Sequence, residues 1–190
     1  MSVYEPPDVV PGVPIPLLGH PWRLRPVRVA GADGGPDVAL VHRWMNTEHV
    51  AAKWQQDWSL ARWHGELAEQ LDGTHSVPCL VDRAGSALAY VELYRVVRDT
   101  LASCYSYDPH DVGVHIAIGE PAGVGHGLGS SLLRELARAV LAADPRCLRV
   151  VAEPDVHNTA SVRAFEKAGY VRGRDVELPD KIAALMMFER

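Results

Sequence analysis

The chain has 190 residues, 47% of them hydrophobic and 23% charged, with a formal net charge of −5. One domain of ordinary globular composition fits that length; fibrous and disordered classes are excluded, and a net-acidic chain is a poor coat for nucleic acid. No apolar run approaches the ~20 residues of a membrane span, so no membrane partner is expected.

Residues 1–21 hold six prolines, Pro6, Pro7, Pro11, Pro14, Pro16 and Pro21. Proline fixes φ and removes a donor, so an extended surface arm is expected there, with the main domain over 22–190. Glu5 and Asp8, with no Lys or Arg before Arg23, do not make a secretory leader; the expected compartment is the cytoplasm. Trp22 to Val29 alternates around Pro26 and predicts an edge strand. Gly31 to Pro36 reads as a loop. Asp37 opens a helix with Leu40, Val41, Trp44 and Met45 on one face, and a short turn follows at His49 to Trp54. Ser59 is placed to cap the next helix, in which Leu60, Trp63, Leu67 and Leu71 recur until Asp72-Gly73 stops it. Val77 to Asp82 and Ala87 to Val96 read as two strands joined by a turn at residues 83–86.

Tyr107-Asp108-Pro109-His110 is a turn. Val112, Val114, Ile116 and Ile118 then alternate with Gly113, His115, Ala117 and Gly119. That is a strand with one apolar face; the small residues on the other predict room beside His115. Glycines 119, 123, 125, 127 and 129 lead into an amphipathic helix. Leu128, Leu132, Leu133, Leu136, Val140 and Leu141 face inward, and Asp144-Pro145 ends it. Leu148 to Ala152 is a buried strand, Asn158 or Thr159 starts a helix that ends at Ala168-Gly169, and Val171 to Leu178 and Ala183 to Glu189 are the last strands. This order predicts a mixed α/β domain. Cys79, Cys104 and Cys147 make neither a C-x-x-C pair nor an even set, and the nine histidines make no H-E-x-x-H. Neither a disulfide framework nor a metal site is expected. Cys104 and Cys147 read as small core residues.

The strongest chemical signal is Val124-Gly125-His126-Gly127-Leu128-Gly129, followed by Ser130, between a strand and an amphipathic helix. Glycines let amides converge on one point, and a helix N-terminus adds partial positive charge, which together cradle an anion. No Lys-Ser or Lys-Thr follows, so this is not a Walker loop, and no βαβαβ frame with a distant acid supports a dinucleotide. Coenzyme A is the remaining common pyrophosphate ligand.

The loop resembles the Arg/Gln-x-x-Gly-x-Gly/Ala segment of the GNAT acyltransferase superfamily, with Val124 in place of the basic or amide residue. Residues 158–170, Asn158-Thr159-Ala160-Ser161-Val162-Arg163-Ala164-Phe165-Glu166-Lys167-Ala168-Gly169-Tyr170, are similar to its second signature. There Asn158 would bind the pantetheine arm beside Ser161, and Phe165 stands where the family often has an acidic tyrosine. The resemblance implies a mostly antiparallel central sheet with flanking helices and a splayed central strand pair. A narrower resemblance covers most of residues 20–190. It is carried by His42-Arg43-Trp44-Met45-Asn46 with His49-Val50, Trp54-x3-Trp58, Glu92-Leu93-Tyr94, Tyr107 to His115, Asp144-Pro145-Arg146, Glu153-Pro154-Asp155-x2-Asn158, Leu178-Pro179-Asp180-Lys181 and Leu185-Met186. These look like the siderophore-pathway N-acyltransferases of the aerobactin and mycobactin type. That implies an acyl-CoA co-substrate, no metal, and a small-molecule amine acceptor such as lysine, N-hydroxylysine or N-hydroxyornithine, on a monomer or homodimer.

A lysine ε-amine has a pKa of about 10.4, so under about one in a thousand is neutral at pH 7. A base near neutrality would help, and histidine titrates there when unperturbed. His115 is therefore the expected base. Glu153 or Asp155 would orient it or bind the ammonium, or else merely cap the following helix. Backbone amides at Ile116, Ala117 and Ile118 would hold the thioester oxygen. Trp58, Glu92 and Tyr94 are candidate acceptor contacts; packing explains them equally. Aminoglycoside 6′-N-acetyltransferases share part of the pattern, and a non-catalytic CoA-binding module is the alternative of a different class.

Overall fold

The computed structural model describes residues 12–190. Its elements run β1 (Trp22–Pro26), α1 (Gly35–Met45), α2 (Glu48–Trp54), α3 (Leu60–Asp72), β2 (Ser76–Arg83), β3 (Ser86–Arg95), β4 (Val112–Ile118), α4 (Leu128–Ala143), β5 (Arg149–Ala152), α5 (Thr159–Ala168), β6 (Val171–Glu177) and β7 (Ile182–Glu189). The prolines at 6, 7 and 11 lie outside the described residues. Residues 12–19 form no helix or strand. The Gly12 carbonyl accepts from the Arg95 guanidinium, and the Gly19 amide donates to Glu135.

The strands form one sheet in the order β1-β2-β3-β4-β5-β7-β6. Neighbours run antiparallel except β4 and β5, which are parallel and meet only at Val112–Val150 and Gly113–Val151. Beyond that point the two strands part, while β4 continues along β3 to Ile118. The mixed α/β fold with a splayed central pair is thus present. Gly119 donates to the Leu88 carbonyl, so antiparallel alternation turns the amides of Ile116 and Ile118 toward the gap and that of Ala117 into the ladder with Tyr90.

Alternation also assigns the two faces. Val91, Leu93, Val112 and Val114 pack with Leu132, Leu133, Leu136 and Val140 of α4 and Val162 and Phe165 of α5. On the other face Tyr90 and Ala117 join Trp44, Trp63 and Leu67 of α1 and α3. That face also carries Glu92 and Tyr94 on β3, opposite His115 and Gly113 on β4.

Several local expectations change. The edge strand ends at Pro26, short of Val29. Helix α1 starts at Gly35, with Gly34 at φ 81° before it and Pro36 in its first turn. Asp37 is no cap: its carboxylate accepts from the Arg25 guanidinium and the Arg28 amide at 2.8 Å. The turn expected at His49 is the helix α2. Ser59 caps α3 as expected, accepting from the Arg62 amide at 3.3 Å. Two 3₁₀ turns, Val96–Arg98 and Thr100–Ser103, follow β3 and carry no apolar periodicity that would announce them. Cys79 and Cys147 are buried, whereas Cys104 is partly exposed and so is not a core residue.

Candidate active site

His115 sits on β4 where the sheet opens, held at both ring nitrogens. Nδ1 lies 3.0 Å from Glu92 Oε2, and Nε2 makes a short hydrogen bond to Glu153 Oε1. Glu92 reaches the ring because the β3–β4 register sets it directly opposite, on the same face. Glu153 reaches it because β5 ends at Ala152 and the chain turns there across the gap. Carboxylates only accept, so a ring that satisfies both must donate from both nitrogens, which is imidazolium. Burial alone would lower the His115 pKa; the Glu153 charge and hydrogen bond, joined by Glu92, outweigh it and raise the value to about 10. Burial alone would raise Glu153, but His115, Lys181 and Tyr94 bring it down to about 2. Glu92 is likewise lowered: burial pushes it up, and His115, Tyr90 and Gln70 overcome that. The expectation of a histidine titrating near neutrality is therefore corrected, because its two buried partners favour the charged ring.

A second layer fixes the carboxylates. Tyr94 OH donates to Glu153 Oε2 at 2.6 Å, and Tyr90 OH donates to Glu92 Oε1 at 2.8 Å. Gln70 Nε2 lies 2.9 Å from Glu66 Oε1 and 3.3 Å from Glu92 Oε1. The small residues beside His115 do not leave room for a substrate, contrary to expectation. The Tyr94 ring fills the space over Gly113, Trp44 fills that over Gly119, and Ala117 is buried with Tyr90 and Trp63.

The open space lies at the splay. A cleft of about 530 Å³ is lined by Val114, His115 and Ile116 of β4, Ala152 to Asp155, and Asn158, Ser161 and Phe165 at α5. Its outer wall is Lys53 to Gln56, Trp58, Asp99, Thr100, Leu178, Asp180 and Lys181. His115 is about one-third exposed to it, at 33%. Trp54 meets the ring edge-on, with centroids 6.1 Å apart.

At the far end of β4, Gly129 of α4 packs on Ile118. The first intrahelical bond of α4 runs from the Ser131 amide to the Gly127 carbonyl at 3.1 Å, which leaves the amides of Leu128, Gly129 and Ser130 ahead of it. Gly125 and Gly127 take φ values of 83° and 74°, conformations that suit glycine, and Val124 to Gly127 are exposed. The open edge at Ile116 and the slot between Ala152 and Phe165 border the His115 cleft, and the amides that open α4 lie beyond it, where Gly129 neighbours Ile118 at the end of β4. These donors suit an elongated anion carrying an acyl thioester. Among the described residues no cluster of three or more His, Cys, Asp or Glu could hold a metal, and no helix is long and apolar enough to cross a membrane.

The structure sorts the other sequence candidates. Glu153 meets His115; Asp155 does not, and its carboxylate accepts from the His157 amide at 2.7 Å. Neither acid caps α5, which Asn158 does by accepting from the Ser161 amide at 3.3 Å. Glu92 faces His115, while Tyr94 lies buried beneath the cleft. Trp58 lines the cleft and carries the Arg62 guanidinium 3.7 Å from its ring centroid. The sequence reading passed over Trp54, Gln70 and Lys181 as site residues. The Trp54-x3-Trp58 spacing marks the first and the Leu178-Pro179-Asp180-Lys181 segment the last, while nothing local marks Gln70.

The acetyltransferase (GNAT) domain family matches residues 33–178. The chain is 39% identical to a lysine N-acyltransferase MbtK of Mycobacterium sp. (strain MCS) over 160 residues, 84% of this chain and 64% of that relative. It is 32% identical to the N(6)-hydroxylysine O-acetyltransferase of Escherichia coli over 84% of this chain and 50% of that relative. It thus spans about half to two-thirds of these relatives. An aminoglycoside N(6′)-acetyltransferase type 1 of Klebsiella pneumoniae is more distant, at 26% over 81% of this chain and 79% of that one. An uncharacterised Bacillus halodurans protein, solved by crystallography, superposes with a TM-score of 0.81 at 31% identity, covering 93% of this chain and 90% of that one.

Proposed function

The chain belongs to the GNAT acetyltransferase family, and on that premise we propose that it is an acyl-CoA-dependent N-acyltransferase. Its acceptor is the side-chain amine or hydroxylamine of lysine, N-hydroxylysine, N-hydroxyornithine or a related diamine, for hydroxamate siderophore assembly. The observation that carries this reading is the His115 ring held between Glu92 and Glu153 in an acid-lined cleft, beside the open edge of β4. The lysine and hydroxylysine acyltransferase relatives support the acceptor class.

The His115, Glu92 and Glu153 cluster bears one net negative charge, which favours an incoming ammonium. A second cation beside the imidazolium weakens the hold of both on their protons. Of the two protons the ammonium must shed, one leaves to solvent on binding. The other passes through the cluster to the departing thiolate as the C–N bond forms. Amides of Ile116 and Ile118 stabilise the oxyanion. No acyl-enzyme is required, and Phe165 offers no proton, so the cluster takes the place of a tyrosine acid. Asn158, Ser161 and Phe165 line the arm of the thioester; Gly125 to Ser130 receive its phosphates through backbone amides, while the Val124 amide is spent on the Pro121 carbonyl at 3.1 Å.

The test is a matrix of acyl-CoA donors against amine acceptors, read by free-thiol release. Turnover with lysine or a hydroxylated diamine supports the reading; binding of CoA without thiol release across the panel overturns it. One observation favours a second acceptor: five acids line the cleft (Glu92, Asp99, Glu153, Asp155 and Asp180) against Lys53, Lys181 and the His115 imidazolium, an acidic balance that suits a polycation. Thiol release with kanamycin and none with the diamines would assign the aminoglycoside reaction instead.

A further inference from the structure

Lys181 presents the acceptor's own functional group inside the acceptor's cleft. Its Nζ lies 3.9 Å from Glu153 Oε1, the oxygen that bonds His115, and its side chain is 24% exposed. The backbone there is fixed. Leu178 donates to the Lys181 carbonyl at 2.9 Å in the β6–β7 turn, and Val156 to Ile182 and Ala184 to Pro154 tie that hairpin to the segment carrying Glu153. The butylamine stem is the mobile part, and the distance to Glu153 is a loose ion pair, longer than a hydrogen bond. The group it carries is the same ε-amine that a free lysine would bring.

We propose that Lys181 is a self-acylation site: when no external amine fills the cleft, the bound acyl group passes to Lys181 Nζ. The proposal rests on the acyltransferase reading and extends it. The amine adds to the thioester carbonyl, a C–N bond forms and the C–S bond breaks. One proton of the ammonium goes to solvent and one to the thiolate, so no oxidant or reductant is needed. The resulting neutral amide no longer offsets Glu153 and occupies the acceptor end, which makes it a brake that acts when acyl-CoA outlasts its acceptor.

The chain has three lysines, Lys53, Lys167 and Lys181, so the product maps cleanly. The full-length protein is incubated with acetyl-CoA alone, weighed intact and digested for peptide mapping. The expected result is one acetyl group on Lys181, added at least about 10²-fold faster than on Lys53 or Lys167, as an aligned intramolecular amine should be. Excess free lysine suppresses it, Lys181→Arg abolishes it while keeping the charge beside Glu153, and the urea-unfolded chain loses the selectivity. An unmodified Lys181 in a preparation that releases thiol on free lysine overturns the proposal and spares the acyltransferase reading. Equal labelling of the three lysines, folded or unfolded, also overturns it, as chemical acetylation. Labelled Lys181 with no turnover on any external amine keeps the proposal and removes the acceptor assignment.

Discussion

The Tyr94 ring lies on Gly113, so closely that a Cβ at residue 113 would stand 2.0 Å from Tyr94 Cζ. The ring is thereby set to give its hydroxyl to Glu153, which in turn bonds His115. Gly113→Ala must push the ring away. It should cost about 1–3 kcal/mol of stability by overpacking and lower turnover without touching any group in the cleft. Tyr94→Phe keeps the ring and removes the donor, at about 1–3 kcal/mol. Thermal melts together with kcat/KM on both variants check this. Wild-type activity in Gly113→Ala would show that Glu153 needs no help from Tyr94.

Stability should depend on pH from both sides. His115 is raised in the folded state, so its contribution is complete below 6.5 and fades as pH rises through about 10. Glu153 is lowered, so its contribution is complete above 4.5 and fades as pH falls through about 2. The two shifts describe one coupling and count once. Urea unfolding across this range should show a plateau between 4.5 and 6.5 that declines on either side. His115→Asn should flatten both declines.

The glycine loop acts through conformation. Gly125 meets no atom that a Cβ would strike, and Gly127 only Ser130 Oγ at 4.0 Å, yet both hold φ above 70°. Alanine at either position forces a left-handed residue, at about 1–2 kcal/mol, and should raise KM for acyl-CoA roughly tenfold. The amine KM and the helical circular dichroism should stay put. Unchanged acyl-CoA affinity would place the phosphates elsewhere.

The sheet, the long helices and the loop were legible because period-2 and period-3.6 patterns and the glycines are local signals. Strand β4 and the caps Ser59 and Asn158 are examples. The clamp on His115 was half legible: Glu92 and Glu153 stood out as acids, but register and splay bring them to one ring, and neither is written in sequence spacing. Gly113 and Ala117 misled because a small residue marks either an opening or a neighbour's ring. Here the tyrosines directly opposite on β3 fill the space, Tyr94 over Gly113 and Tyr90 with Trp63 around Ala117. Asp155 is a shorter acid two residues further into the turn, and its carboxylate accepts from the His157 amide instead. Lys181 comes from the β6–β7 hairpin, far along the chain from the acids it joins.

The central claim is that the carboxylate-clamped imidazole carries the acceptor's proton. Its most direct test is kcat/KM for His115→Asn with lysine and with N-hydroxylysine, each against the wild type. A lysine ammonium must first lose one proton to solvent, a loss this charged cluster promotes, before the second passes through it; the less basic hydroxylamine arrives neutral and sheds only the second. The loss should be about 10²–10⁴-fold with lysine and clearly smaller with N-hydroxylysine, with acyl-CoA affinity retained. Wild-type turnover of lysine by His115→Asn would contradict the account.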